Sequence, residues 1–260
     1  MNKKKFGLAL GSGGAMGIAH VGFLEVLLEN GIEPDVIAGS SIGSVVGSLY
    51  ANGFSVERMV EMIGTLRQDD IVDFDLFFLS KLSLNRGKKV EKLLKDLLGE
   101  QTQFSDLGIP FGCVAVDLLS CSKVYLTEGE VWKAVLASTA IPSAFPPVEM
   151  DDMFLVDGGI MDRVPGELCR QLGADVVVGV DVMGAPVKNE RPKNMFKALV
   201  SAYRITEYEL TKLLTSNVDH MVELVQPDVS PFKVKNLQES YAHGKKAAED
   251  NLEKIKELID

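Results

Sequence analysis

Histidine and cysteine are scarce in this chain, three of each among 260 residues, and none of them falls at paired metal-ligand spacing. Cys113, Cys121 and Cys169 are far apart and odd in number, which argues against a disulfide framework and reads as reduced core thiols of an intracellular protein. No His-Glu-x-x-His segment occurs, so metal catalysis is not expected. No apolar run approaches the roughly 20 residues that cross a bilayer. The apolar stretch 6–10 is cut off by glycines too early to serve as a secretory signal, and a cytoplasmic protein is expected. Positive charge is also short. With 27 Lys and Arg against 37 Asp and Glu, the formal charge is -10, which argues against nucleic acid as a partner and gives no general attraction to anionic lipid. Lys3, Lys4 and Lys5 read as a solvated terminus, with a local lipid contact as the other reading. There is neither an internal repeat nor a low-complexity linker.

What is present suits one large α/β unit. An apolar content of 46% over this length buries a substantial core. A strand is expected at 6–10, then a glycine cluster, then a buried helix stopping near Asn30-Gly31, where glycine is a natural C-terminal stop. A second strand at 36–38 leads through Gly39-Ser40-Ser41-Ile42-Gly43 into a helix ending at 51–53, and another helix follows at 55–65. Strands and helices alternating in short segments favour a parallel sheet covered on both faces. The run 71–79 is apolar and aromatic without a clean period; it reads either as core or as a greasy rim over an acyl-binding cleft. An amphipathic helix at 87–98 turns Val90, Leu93, Leu94, Leu97 and Leu98 inward, and a hairpin of strands at 111–116 and 123–126 turns around Leu118-Leu119-Ser120. A helix at 131–138 precedes the stretch Ile141-Pro142-Ser143-Ala144-Phe145-Pro146-Pro147, whose prolines stiffen a pocket wall. A short strand at 154–156 delivers Asp157-Gly158-Gly159, and a buried strand is expected at 176–182. A surface loop at 185–193 leads to long helices at 195–214 and 238–258, which flank a strand at 221–225.

Ser41 sits where a strand turns sharply into a helix, with Gly39 and Gly43 allowing a tight elbow that projects the hydroxyl into a cleft. A serine hydroxyl needs a base, and acyl transfer needs donors aimed at the oxyanion. His20 falls on the first helix, His220 just before a strand and His243 on the last helix, and none follows a strand-end loop signal. Asp157 is better placed, at a strand end before two glycines; it reads as the base of a two-residue dyad, or as a plain turn aspartate. The cluster Gly11-Ser12-Gly13-Gly14-Ala15-Met16-Gly17 lacks the third glycine of a dinucleotide fingerprint and the lysine of a P-loop. It fits an oxyanion hole better, because backbone N–H groups at a helix start stabilise developing negative charge.

Taken in order, these segments resemble the patatin-like phospholipase family. Ser12-Gly13-Gly14-Ala15-Met16-Gly17 is similar to its oxyanion loop, Gly39-Ser40-Ser41-Ile42-Gly43 to its nucleophile motif and Asp157-Gly158-Gly159 to its Asp-Gly-Gly motif. The stretch from Ala137 to Pro147 resembles its proline-bearing segment. The motifs fall within 6–180, and 195–260 forms a helical C-terminal portion of a single domain spanning 1–260. The resemblance implies a three-layer α/β/α sandwich with a central, mostly parallel sheet. It implies hydrolysis of acyl esters of lipids, as phospholipase, lysophospholipase or carboxylesterase, without metal or organic cofactor. Ser41 would be the nucleophile and Asp157 the base, with the amides of Gly13, Gly14 and Ala15 as the oxyanion hole, supported by Gly11, Ser12, Gly17, Gly39, Gly43, Gly158 and Gly159. An acyl lipid or ester is the expected partner, with peripheral contact at a membrane and no nucleic acid. A thioesterase or acyltransferase using the same serine, or a non-catalytic lipid-binding protein, are the other readings. Three positions depart from the family pattern: Ser12 replaces a glycine, Met16 a basic residue and Ser143 a glycine. If the basic residue binds an anionic head group, Met16 weakens the case for phospholipid.

Overall fold

The computed structural model describes residues 4–65, 83–142, 144–186, 191–192, 195–226, 229 and 236–260. The apolar run 71–79 and Ser143 lie outside the described residues. Five strands run parallel in the order β3-β2-β1-β7-β8: β1 (Phe6–Leu10), β2 (Val36–Ser40), β3 (Phe111–Asp117), β7 (Val176–Asp181) and β8 (His220–Glu223). Every residue of β1, β2, β3 and β7 is buried. That is why these segments are apolar without alternation: helices cover both faces of a parallel sheet. β4 (Ser122–Leu126), β5 (Val148–Met150) and β6 (Met153–Asp157) add antiparallel pairings at the β3 end.

The two faces of the sheet carry separate cores, set by the two-residue side-chain period of its strands. Leu8, Leu10, Ile37, Cys113, Val178 and Val180 pack into the larger core with α1 (Ala19–Glu29), α2 (Ile42–Ala51), α3 (Val56–Thr65), α4 (Ser83–Leu98), α5 (Val131–Ser138) and α8 (Leu237–Ile259). Ala9, Val36, Ala38, Val114 and Val177 face the other way, against Val164, Leu168 and Cys169 around α6 (Gly166–Gln171). The expected helix–sheet–helix layering is therefore observed. The remaining helix, α7 (Met195–Leu214), crosses over from β7 to β8.

Some expectations need correction. Leu93 is 49% exposed although Leu94 and Leu98 are buried, so the inward face of α4 is narrower than its leucines suggest. Cys113 and Cys169 are core thiols, but Cys121 is exposed in the β3–β4 turn, at a φ of 56°. The last strand ends at Glu223, and Val225 is exposed. Neither β5 nor α6, with 3 and 6 residues, carries enough periodicity to be anticipated.

Helices α1 and α8 pack backbone to backbone. A Cβ on Gly244 would lie 1.9 Å from the Ala19 carbonyl oxygen, and one on Gly22 would lie 2.2 Å from that of Tyr241. Alanine gains about 1 kcal/mol of helix propensity over glycine, but here it forces two helices apart, and overpacking costs about 1–3 kcal/mol. Gly244→Ala is therefore expected to destabilise the protein, read as a lower denaturation midpoint in urea. An unchanged or raised midpoint would mean that the contact yields at little cost.

Candidate active site

One edge of β3 is shared by two strands end to end. β2 runs parallel along it as far as Ser40, which pairs with Val114. From the next residue, Ala115, the same edge pairs with Asp157, the last residue of antiparallel β6, while β4 occupies the opposite edge. β2 and β6 thus approach each other head-on along β3. The residue that follows Ser40 and the residue that ends β6 are forced together, 116 positions apart in sequence.

At that junction Ser41 takes φ 52° and ψ -123°, a conformation that L-residues rarely adopt, and α2 starts immediately behind it. Such strain costs about 1–3 kcal/mol and persists only where the surroundings over-determine it. Here the Ser41 N–H donates to Ser138 Oγ at 3.0 Å, and its carbonyl accepts from Ser44 N–H at 2.8 Å and Ser44 Oγ at 2.6 Å. The elbow also brings the start of α2 against β1. A Cβ on Gly43 would sit 2.1 Å from the Leu10 carbonyl oxygen, and one on Gly39 2.5 Å from the Ser44 backbone, so both elbow glycines are demanded by close approach.

Ser41 Oγ donates to Asp157 Oδ2 at 2.5 Å, and the Gly159 N–H donates to Asp157 Oδ1 at 2.8 Å. The Asp157 N–H donates to the Ala140 carbonyl at 3.0 Å. Burial pushes the Asp157 carboxyl up to about 6, against the opposing pull of the Ser41 and Gly159 hydrogen bonds. An aspartate tuned in this way is ionised just below neutral pH and yet basic enough to take up a proton during a reaction. Gly158 lies against β3, where a Cβ would come 2.3 Å from the Val114 carbonyl oxygen.

The glycine loop follows β1, next door. The Gly11 N–H donates to Val180 O at 3.0 Å and the Ser12 N–H to Arg163 O at 2.9 Å, while His20 Nε2 lies 2.8 Å from Gly11 O. Ser12 Oγ donates to Ser40 Oγ at 3.0 Å, which ties this loop to the serine strand. The chain then enters a 3-10 turn, Gly14–Ile18, with Gly14 at a φ of 54° and Met16 N–H donating to Gly13 O at 3.1 Å. The first amides of such a turn have no partner within it, which leaves those of Gly13, Gly14 and Ala15. Gly17 lets α2 pass close by, since a Cβ there would lie 2.2 Å from the Ile42 side chain. Met16 is buried in the larger core, and its carbonyl accepts from Ser240 Oγ at 2.8 Å. Position 16 therefore serves packing.

Among the described residues, Ser41 is held by hydrogen bonds with Ser138, Ser44, Val45 and Asp157 and by no histidine. His20 is fully buried and held on Gly11 O; burial lowers its pKa to about 4, so it stays neutral and donates from Nε2. His220 lies on β8, where its Nε2 is 2.7 Å from Asn251 Oδ1, and His243 lies on α8. Sequence reasoning missed Ser138, Arg163 and Asp181. Ser138 stood inside the proline-bearing stretch without a role. Arg163 is buried, bonds Asp181 and reaches Gly184 O at 3.2 Å, so it fastens the chain beyond β7 to the loop beside Ser12. An Asp-Arg pair shortly after Asp-Gly-Gly was the only signal, and nothing local connects it to residue 181. On α7, Glu207 is buried within electrostatic reach of Arg163, Asp157, Asp181 and Arg204, and burial raises its pKa to about 8.

A cleft of about 260 Å³ opens between α4, α5 and the proline segment, lined by Val90, Leu136, Thr139, Ala140, Phe145 and Pro146 among others. Thr139 follows the Ser138 that holds Ser41 N–H, and Ala140 holds Asp157 N–H, so the cleft shares a wall with the dyad. Among the described residues, no group of three or more His, Cys, Asp or Glu side chains is arranged to hold a metal ion.

An elbow serine on a buried aspartate, beside a glycine loop in a parallel α/β sandwich, is the arrangement of a serine acyl hydrolase. Residues 8–169 match the profile of the patatin-like phospholipases, and the chain belongs to that family. It is similar to an uncharacterised NTE-family protein of Mycobacterium bovis, 35% identical over 188 residues that make up 71% of this chain and 52% of that one. It is also similar to a lysophospholipase of Aspergillus fumigatus, 34% identical over 180 residues, 68% of this chain and 12% of that one. The chain thus spans about half the length of the mycobacterial relative and a small part of the fungal one. Among solved structures, that of VipD from Legionella pneumophila shares the fold, with a TM-score of 0.57 at 14% identity over 98% of this chain and 67% of that one.

The raised Asp157 pKa has a consequence for stability. Between pH 3.8 and about 6 the folded protein holds a proton there that the unfolded chain has released, so this group's contribution falls as pH rises and is a full penalty above about 6. Asp157→Asn keeps the shape, can donate to Ser41 Oγ and removes the penalty, which is on the order of 3 kcal/mol. The variant is expected to melt higher than wild type at pH 8, with the difference shrinking towards pH 4. His20 has the opposite sign, destabilising the fold as pH falls from 6.5 towards 4, but it acts equally in both proteins and drops out of the comparison. A variant less stable than wild type at pH 8 would show that the carboxylate is favourably solvated.

Proposed function

We propose that the chain hydrolyses acyl esters of lipids, with Ser41 as nucleophile and Asp157 as its base. The observation that carries this reading is the Ser41 Oγ–Asp157 Oδ2 hydrogen bond of 2.5 Å at a strained elbow. As Ser41 Oγ bonds to the ester carbonyl carbon, its proton passes to Asp157 Oδ2, and the carbonyl oxygen becomes an oxyanion facing the free amides of Gly13, Gly14 and Ala15. Asp157 then returns the proton to the departing alcohol oxygen, leaving an acyl-Ser41 ester. Water attacks that ester with Asp157 again taking the proton; the bond from the acyl carbon to Ser41 Oγ then breaks, Asp157 returns the proton to Oγ, and the acid leaves. Each oxyanion donor of this kind contributes about 3 kcal/mol to the transition state.

The apolar cleft beside Thr139 and Ala140 receives the acyl chain, and its size favours a single chain over two. This agrees with a lysophospholipid or a simple carboxylic ester as substrate. The named activity of the fungal relative supports the former; the buried Met16, which offers no charge to a phosphate, supports the latter.

The test is hydrolysis of a short-chain, water-soluble ester and a long-chain lysophospholipid by wild type, Ser41→Ala and Asp157→Asn, with folding checked by circular dichroism. Both variants should lose roughly 10³-fold or more in kcat/KM. The wild-type pH profile should rise with unit slope to a plateau above about 6, since only ionised Asp157 accepts the proton. Turnover surviving in folded Ser41→Ala would overturn the assignment.

A further inference from the structure

Surface helices ordinarily turn their apolar stripe inward and their charged side chains to water. α7 does the reverse. Its inner side carries Glu207 and Thr211, both buried, the buried Nε of Arg204, and Tyr208, whose ring lies 5.5 Å from the Arg163 guanidinium. Its outer side shows Met195 at 87%, Leu199 at 67% and Leu213 at 78% exposure, with Ile205 also exposed, while Tyr203 sits at the border with the inner side. At 100° per residue, Met195, Leu199, Thr206 and Leu213 fall along one line of the helix. Glu209 and Lys212 also reach this outer side, but their charges pair with each other at 2.7 Å.

A second set of exposed apolar residues lies at the same end of the fold as the dyad. Ser41 follows the carboxyl end of β2 and the glycine loop that of β1. Leu118 and Leu119, the latter 68% exposed, follow the carboxyl end of β3; Val225 follows that of β8; and the first turns of α7 follow β7. Among the described residues, Leu93 on α4 is the exposed large apolar side chain that belongs to neither set. The helix is also linked to the chemistry, because Tyr203 and Glu207 both lie within electrostatic reach of Asp157.

From these features we infer that the outer side of α7 is the surface by which the protein docks on an uncharged lipid–water interface. Apolar side chains exposed along one line of a helix are costly in water and mark an interaction site. An amphipathic helix of this kind lies in the interface plane with its apolar side among the headgroups and acyl ends. The charge balance selects the lipid. A chain of net charge -10 whose docking side has mutually neutralised charges is repelled by anionic headgroups and tolerated by zwitterionic ones. This inference rests on the lipid-ester reading above, since a substrate that resides in aggregates gives the protein a lipid surface to dock on. A second copy of the chain or a protein partner would occupy the same surface without presenting substrate.

The test is flotation of the full-length protein with phosphatidylcholine vesicles, with and without added phosphatidylglycerol, alongside turnover of a water-soluble short-chain ester. Wild type should float with phosphatidylcholine, and less so when phosphatidylglycerol is added. Leu199→Glu combined with Leu213→Glu should reduce vesicle binding by roughly tenfold or more, while soluble-ester turnover stays within about twofold. Leu93→Glu, away from this surface, should float like wild type. Wild type that stays in solution, a double variant that still floats, a Leu93→Glu protein that fails to float, or flotation with anionic vesicles alone would each overturn the inference. So would sedimentation showing a dimer that the double variant dissociates, which would assign the surface to self-association. Failure of the enzymatic reading appears separately, as absent turnover of the soluble ester in wild type.

Discussion

The site depends on how one edge of β3 is divided. Val114 is the last residue on that edge to pair with β2 and Ala115 the first to pair with β6. Because β2 is parallel and β6 antiparallel, their chemically important ends point at each other. Both strands are locked by ladder hydrogen bonds, so the Ser41–Asp157 separation is set by backbone register and not by flexible side chains. A one-residue slip in β6 would turn Asp157 to the other face of the sheet. Ser138 and Ala140, from the end of α5, then hold the backbone amides of the two dyad residues, so a single short segment braces both partners.

This rigidity accommodates two unfavourable features, the backbone strain at Ser41 and the desolvated carboxyl of Asp157. Neither would survive in a loosely held loop. Both cores press on the region: β1 and β2 are buried on each face, and α2 starts so close to β1 that only glycine fits at position 43. The glycine loop is held by a different principle, backbone and side-chain hydrogen bonds to β7, to Arg163, to His20 and to Ser40. The amides of Gly13, Gly14 and Ala15 emerge from a loop whose preceding residues are fully committed.

Much of this was legible in the sequence, for identifiable reasons. The strands β1 and β2 are continuous apolar runs closed by glycine-rich turns; Ser41 stands at the second of these, and Asp157 stands at the glycine turn that closes antiparallel β6. That they meet was not readable from physics alone, because it follows from a pairing between segments more than 100 residues apart. Ser138 and Arg163 were missed for the same reason, since each acts on a partner remote in sequence. Leu93 was misjudged because an apolar residue at helical spacing looks inward whether or not the neighbouring layer reaches it. α7 shows the same limit in reverse. Its period marks a helix correctly, but periodicity does not say that the polar side covers a buried charge cluster and the apolar side faces out.

The hydroxyl of Ser12 has one further effect. A Cβ at position 159 would come within 2.5 Å of Ser12 Oγ, and within 3.1 Å of both Ser12 Cβ and Asp157 Oδ1. Positions 12 and 159 are therefore coupled: a side chain at position 159 would have to displace the Ser12 hydroxyl that bonds Ser40. The Ser12–Ser40 hydrogen bond adds a second coupling, because loss of either hydroxyl leaves the other buried without this partner. One hydroxyl therefore links the glycine loop, the serine strand and the turn behind Asp157.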